Sequence, residues 1–435
     1  MPEELTYPRV LVIDGTPFSH TCNGGIVKSQ LFSGWPKTRL RQILYSNMEP
    51  GFDVCGQYWQ LSKTGVLLGA LGRAPGRAQC EKTDSGQPIS TDAPYESRPG
   101  IERRFSWLSS QIRVPLGEAI FWLPSVLSGP LREWIDEFHP DVIFSFLASG
   151  VVLRTVALVA NRWKLSVVPY FTDDWIGTIY REYALGSLLR RSVERDLRQC
   201  LAVSPIRLTP NDAMAREYRQ RFGGRFEVMY CAEVVRPYSL PAGRPLVRFV
   251  FTGTLAPNRW SSLKRIGQAL DLLAGEGLRG ELMVYTPYGE ADGIPKQDVP
   301  RSVKLAGTAA PKDVAGIQAD ADVLVHVESF DAISRAYTRL SLSTKVSQYF
   351  MAGRPVLALG PAEAASIQYV SEAGAGVTVT EDTLDAIRTA LRPLLSDESW
   401  RCALGKKAHF TAMERNDESR QRQRFREFLC AARHA

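Results

Sequence analysis

Compact apolar runs alternate with longer amphipathic stretches along most of this chain. Runs bounded by Gly, Pro, Asn or Asp read as buried strands; stretches with apolar residues at helical spacing read as helices. Val10-Leu-Val-Ile-Asp14 is the first run. Gly15 to Gly25 follows as a glycine-bearing loop, and a helix opens over Ile26 to Phe32. Asp141 to Phe146 and Ser166 to Phe171 are strands around a helix at Gly150–Trp163. A basic helix is expected over Leu185 to Cys200, then strands at Leu201–Ser204, Ile206–Pro210 and Phe226–Tyr230, with a helix at Asn211–Phe222.

Glu233 to Pro245, with Pro237, Pro241 and Gly243, reads as a linker. A second series then begins. Its strands are Arg248–Thr252, Glu281–Tyr285, Val303–Ala306, Val323–Val327, Val356–Leu359 and Gly376–Val379. Helices at Glu381–Leu395, Asp397–Met413 and Ser419–Ala432 close the chain. Two strand–helix series joined by a proline-rich hinge predict an α/β protein of two Rossmann-like parallel-sheet domains facing a cleft. The expected boundaries are 1–240, 241–415 and a C-terminal helix, 416–435, packing back across the boundary. Residues 72–104, rich in Gly, Pro, Ser and Arg, read as a long excursion. Residues 105–135, with Trp107, Trp122 and Trp134, read as helical.

Composition narrows the classes. A chain of 435 residues is too long for one ordinary core. No apolar run is long enough for a membrane-spanning helix, and the acidic N-terminus does not have the form of a signal peptide. The seven scattered cysteines form no CxxC pair, which points to a reducing, cytoplasmic setting rather than a disulfide framework or zinc site. The net charge of +7 favours anionic partners. No interleaved basic and aromatic stretch suggests a nucleic-acid groove. The loop after Asp14 is not a GxGxxG fingerprint, so a dinucleotide site is not expected.

The segment Leu342 to Gly360 carries the most information. It reads as a polar loop, a short amphipathic helix, a turn at Gly353 and a buried strand from Val356. Ser343, Thr344 and Lys345 fall at the helix start, where free N–H groups and a neighbouring cation attract anions. Taken alone, it equally fits an ordinary capped helix.

The order of motifs adds to this. Phe251-Thr-Gly-Thr-Leu-Ala-Pro-Asn-Arg259, Val303-Lys-Leu-Ala-Gly-Thr308, Ala321 to Val327 and Ser343 to Leu357 follow one another as in the C-terminal domain of GT-B glycosyltransferases. The chain most resembles glycosyltransferase family 4 over residues 248–415. Tyr170-Phe-Thr-Asp-Asp-Trp175 resembles the aromatic strand ending in a His-Asp or Asp-Asp pair in the N-terminal domain of such enzymes.

The resemblance implies a nucleotide-sugar donor held by the C-terminal domain and an acceptor hydroxyl held by the N-terminal one. It assigns Arg259 and Lys345 to the diphosphate, with Lys264 a further candidate of the same kind. Gly253 and Thr254 would offer backbone donors at a strand end. Gly24 and Gly25 resemble the N-terminal glycine loop that approaches the phosphates. Ser343, Thr344 and Gln348 fall at the diphosphate and ribose positions, and Glu328 at the donor sugar or base. The family has Glu where this chain has Gln348, and the companion Glu upstream falls at Leu340. Of the paired carboxylates, Asp174 is taken as the acceptor-side residue, by proton transfer or orientation; Asp can also simply cap the following helix. His20 is a loop histidine that could act similarly.

Relatives in that family transfer with retention and often without metal, so no metal or other cofactor is expected. The chain has no trusted DxD motif. The resemblance also points to acceptors such as cell-surface polysaccharide, lipid-linked sugar or other glycoconjugate, with peripheral contact at the inner membrane face through residues 101–134. Two other functions compete: a non-catalytic GT-B partner subunit, favoured by Gln348, and a nucleotide-sugar 2-epimerase, disfavoured by the scarcity of cleft histidines.

Overall fold

Val10–Asp14 (β1) is buried along its whole length, as a strand covered on both faces must be. The structure is a computed structural model that describes residues 7–20, 23–46, 48–61, 76–80, 127–181, 183, 186–240 and 243–433. After β1 come helix α1 (Asn23–Leu31) and strands β2 (Leu40–Leu44), β3 (Gln57–Leu61) and β4 (Gly76–Cys80). Helix α2 (Gly129–Phe138), β5 (Val142–Ser145), α3 (Gly150–Trp163) and β6 (Val167–Pro169) follow. The half closes with α4 (Trp175–Thr178), α5 (Gly186–Ala202), β7 (Arg207–Thr209), α6 (Asp212–Phe222) and β8 (Phe226–Val228). Its main sheet has the order β4-β3-β2-β1-β5-β6. All neighbours are parallel except β3 and β4.

The second half begins at β9 (Val247–Thr252), followed by α7 (Arg259–Ala274), β10 (Gly280–Tyr285), β11 (Val303–Gly307), α8 (Pro311–Ala319) and β12 (Val323–Val327). Next are α9 (Ala332–Thr338), α10 (Thr344–Met351), β13 (Val356–Leu359), α11 (Ala365–Ala373) and β14 (Gly376–Val379). Helices α12 (Leu384–Ser396), α13 (Glu398–Arg415) and α14 (Glu418–Arg433) end the chain. The second sheet, β11-β10-β9-β12-β13-β14, is wholly parallel. In both sheets the strand order reverses beside the first strand of the half. That reversal opens a crevice at the strand carboxyl ends, where doubly wound folds bind ligands.

Each half has its own apolar core on both sheet faces. Among the described residues, helix α14 and the segment at Leu340 both cross between halves. Helix α14 buries Phe425, Leu429 and Ala432 in the N-terminal core, with the Phe425 ring 4.9 Å from Phe32 and 5.1 Å from Phe144. Leu340, between α9 and α10, is 3% exposed and packs among N-terminal residues.

Several expectations need correction. Leu201–Ser204, read as a strand, is the end of α5 and its turn: the Ser204 hydroxyl donates to the Cys200 carbonyl at 2.6 Å, closing a helical turn. Gly76–Cys80, read as part of an excursion, is an antiparallel strand on β3. The rest of 72–104, and residues 105–126, lie outside the described residues. Strands β2 and β3 were not anticipated, because the alternation in Leu40-Arg-Gln-Ile-Leu44 and Gln57-Tyr-Trp-Gln-Leu61 is broken by polar residues. The fold buries those polar side chains with partners: Gln42 donates to the Thr16 carbonyl at 2.7 Å and Gln60 to the Ser46 carbonyl at 2.6 Å.

Candidate functional site

Strand β9 ends at Thr252, and Gly253 follows in a left-handed conformation with φ of 148°. A Cβ there would overlap the Lys345 side chain. Glycine is therefore required so that Lys345, from the first turn of α10, can lie across the turn. The side chain of Lys345 faces a cleft of about 930 Å³, a size suited to a nucleotide-sized ligand. Among the described residues its ammonium has no hydrogen-bond or ion-pair partner. Burial first, then the neighbouring Arg259 guanidinium, push its pKa down to about 8, while Glu328 and Glu290 pull it the other way. A cation so placed is short of negative charge.

Arg259 opens α7 and reaches the same cleft. Its Nε donates to the Val327 carbonyl at 3.1 Å, Nη1 to Ala256 at 2.6 Å and Nη2 to Glu328 at 3.3 Å. Those contacts lock the guanidinium plane, leaving further N–H donors of the five for a ligand. Glu328, directly after β12, is itself fixed by His326, whose Nε2 lies 3.3 Å away. Burial raises its pKa, but His326 and Arg259 outweigh burial and hold the carboxyl below its usual value.

Ser343 and Thr344 line the cleft beside Lys345. Ser343 sits at the N-cap of α10 but its side chain makes no capping bond, contrary to the ordinary capped-helix reading. Thr254 lines the cleft too, and its hydroxyl donates to Glu290 at 2.7 Å. Gly24 faces the cleft from the N-terminal half. Gly25 does not: a Cβ there would come within 2.6 Å of the Pro17 carbonyl, so its role is to let α1 pack on its own loop.

Three further anticipated residues stand elsewhere. Lys264 points away from the cleft and pairs with Asp298 at 2.8 Å. Gln348, one turn along α10, accepts from Gln318 at 3.3 Å and is not among the cleft-lining residues. Asp174 is 4% exposed and faces inward. Arg221 donates to both its oxygens, at 2.9 and 3.0 Å, and the Tyr218 hydroxyl donates at 2.9 Å. With three donors on its two oxygens and the side chain buried, Asp174 is the centre of a structural cluster and does not line the cleft. The neighbouring Asp173 holds the open position. It lines the cleft, accepts from Ser341 at 2.7 Å, and is the first cause of the raised Tyr337 pKa, ahead of burial. His20 is largely exposed, 3.4 Å from Asp53, and among the described residues no histidine lines the cleft.

The cluster around Asp174 spans the two halves. Arg339 donates to Glu217 at 2.7 Å and lies 3.9 Å from Asp174. Asn211 donates to the Leu340 carbonyl at 2.8 Å. Residues 339–341 thus clasp the C-terminal half to the N-terminal one, immediately before the helix that carries Lys345. Sequence reasoning missed this clasp, and also missed Glu290; the latter's place after a strand carboxyl end was the available signal.

No family model matches the chain, and no curated protein matches it. Solved structures do. Anabaena HepE in complex with UDP superposes with a TM-score of 0.64 at 13% identity, over 97% of this chain and 100% of that one. The fold is GT-B. Sucrose-phosphate synthase from Thermosynechococcus elongatus matches at a TM-score of 0.59 and 11% identity, over 96% of this chain and 97% of that one. WaaG, a glycosyltransferase involved in lipopolysaccharide biosynthesis, matches at 0.56 and 13%, over 97% and 99%. The GT-B cleft of this chain is the one that Lys345, Arg259 and Asp173 line.

Proposed function

We propose that this chain is a glycosyltransferase that moves a sugar from a nucleotide-diphosphate sugar to an acceptor hydroxyl. One observation carries the reading: an ammonium without a partner among the described residues, Lys345, beside a held guanidinium, Arg259, in the cleft of a GT-B fold. Charge grows on the diphosphate as its bond to the sugar breaks. Cations fixed at that point stabilise the transition state more than the bound donor. HepE has been solved with UDP and with UDP-glucose, which makes uridine donors the first to try.

In this reading Lys345, Arg259 and the first turn of α10 hold the diphosphate, with Glu328 near the sugar. Asp173 orients the acceptor hydroxyl from the opposite wall. The bond between the anomeric carbon and the phosphate oxygen breaks as the acceptor oxygen bonds to that carbon. The acceptor proton passes to the departing phosphate oxygen. Attack from the leaving-group face retains configuration and asks for no enzyme nucleophile. The two cations supply the charge that a metal would otherwise bring, so the transfer is metal-independent in this proposal.

WaaG's part in lipopolysaccharide biosynthesis supports a cell-surface glycoconjugate as the acceptor class; peripheral contact at the inner membrane face belongs to the same proposal. Among the described residues no helix is long and apolar enough to cross a membrane. Most of the segment expected to touch the surface, 101–126, lies outside the described residues.

The test is a thermal-shift and transfer panel with UDP-, GDP-, TDP- and ADP-sugars, run with and without EDTA. A donor that raises the melting temperature and is turned over equally in EDTA supports the reading. Binding without turnover for every donor and acceptor overturns the enzyme assignment, and loss in EDTA restored by Mg²⁺ overturns metal independence.

A further inference from the structure

Glu290 lies in the loop after β10. Its carboxylate takes three donors: the Thr254 hydroxyl at 2.7 Å on Oε1, and the Leu255 N–H at 2.6 Å and Thr286 hydroxyl at 2.8 Å on Oε2. Thr254 and Leu255 form the turn between β9 and α7. In a doubly wound fold that turn offers free amides to a phosphate. Here a carboxylate already occupies the Leu255 amide. The turn is therefore fixed by an internal anion at that amide. Gly253, the residue before Thr254, is where the Lys345 side chain crosses. The path of Lys345 thus depends on the shape of a turn that Glu290 holds.

We propose that Glu290 is a positioning residue for the donor diphosphate: it shapes the Gly253–Leu255 turn over which Lys345 lies, and it sets compensating charge beside that ammonium. The proposal rests on reading Lys345 as a diphosphate ligand. Among the described residues, the charged groups that act on Lys345 are Arg259 from α7, Glu328 after β12 and Glu290 after β10. Without Glu290, one carboxylate is left against one guanidinium. Lys345 would then lose its proton at lower pH.

Shape and charge can be separated. Glu290→Gln keeps one carbonyl oxygen for the Leu255 amide, and the threonine hydroxyls can turn to accept from its NH₂. The turn survives and the charge is lost. Glu290→Ala loses both.

Binding of UDP, GDP, TDP and ADP to the full chain is measured by calorimetry at pH values on both sides of 8. In the native chain, affinity falls as pH rises through Lys345's titration. In Glu290→Gln the fall comes at lower pH, with affinity unchanged well below it. In Glu290→Ala affinity drops about tenfold at every pH, the effect of about one lost hydrogen bond in positioning. Adding Lys345→Arg abolishes the pH shift, because arginine does not titrate there. Native affinity and native pH profile in both Glu290 variants overturn the proposal. If no nucleoside diphosphate binds the native chain, the donor-site reading fails. Amine labelling of Lys345 read by mass spectrometry then decides the local coupling: an unchanged titration in Glu290→Gln overturns it, and a lowered one supports it.

Discussion

The two walls of the cleft treat their charges in opposite ways. On the N-terminal wall, Asp174 is surrounded by donors: Arg221 on both oxygens, Tyr218 on one, and Arg339 arriving from the other half. Its charge is used up inside the N-terminal half, with Arg339 of the other half 3.9 Å away. On the C-terminal wall, Lys345 lies among the described residues without a partner, and burial lowers its pKa to about 8. A saturated charge builds structure, whereas an unsaturated charge beside a cavity awaits a ligand. Asp173 and Asp174 make the same contrast at adjacent positions, since a single step along the chain turns the side chain from the cluster to the cleft.

The sharpest way to break this comparison is Lys345→Ala. Removing one preorganised stabilising group costs about 3 kcal/mol of transition-state energy, a loss of a hundredfold or more in turnover. The melting temperature should stay level or rise, because a desolvated cation is gone. Steady-state kinetics beside a thermal melt checks both, and native turnover would refute the role.

Asp174→Ala should do the reverse. It strands Arg221 and Tyr218 around an empty site, at a cost of about 2–3 kcal/mol, discounted because Arg221 is 30% exposed. Chemical denaturation should show that loss, while Asp173→Asn lowers turnover with little change in stability. If Asp174→Ala abolishes activity at full stability, the roles of the two carboxylates are exchanged.

The smallest expected effect lies at Glu233, at the start of the segment read as a linker. Burial raises the Glu233 carboxyl from 4.5 to about 8, with Ser347 and Arg236 opposing. Between those values the folded chain holds a proton that the unfolded chain releases. Stability from this group is therefore present below pH 4.5 and lost as pH climbs through about 8. Glu233→Gln should flatten that decline in a melting series across the window, and an unaltered slope would exclude the group.

Much of the fold was legible in the sequence. The strands of the second half fall within a residue or two of the runs that predict them, because the central strands β9, β10, β12 and β13 are largely buried and mostly apolar, and such runs read directly. Strands β2 to β4 were not legible, since Gln42 and Gln60 are buried with carbonyl partners that only the loops bring near. At the site, Arg259, Lys345, Thr254 and Gly24 were named from order and spacing and do face one cleft. Lys264, Gly25, Gln348 and Asp174 were named on the same grounds and do not.

What the sequence determined by itself was the pair of parallel-sheet halves and the presence of cations at strand carboxyl ends. Those follow from periodicity and from residues close together in the chain. The tertiary structure decided which charges are spent. Asp174 is paired by Arg221, 47 residues away, and Arg339 by Glu217, 122 residues away. The state of a charge is the sum of all its neighbours, and most of those neighbours are brought to it only by folding.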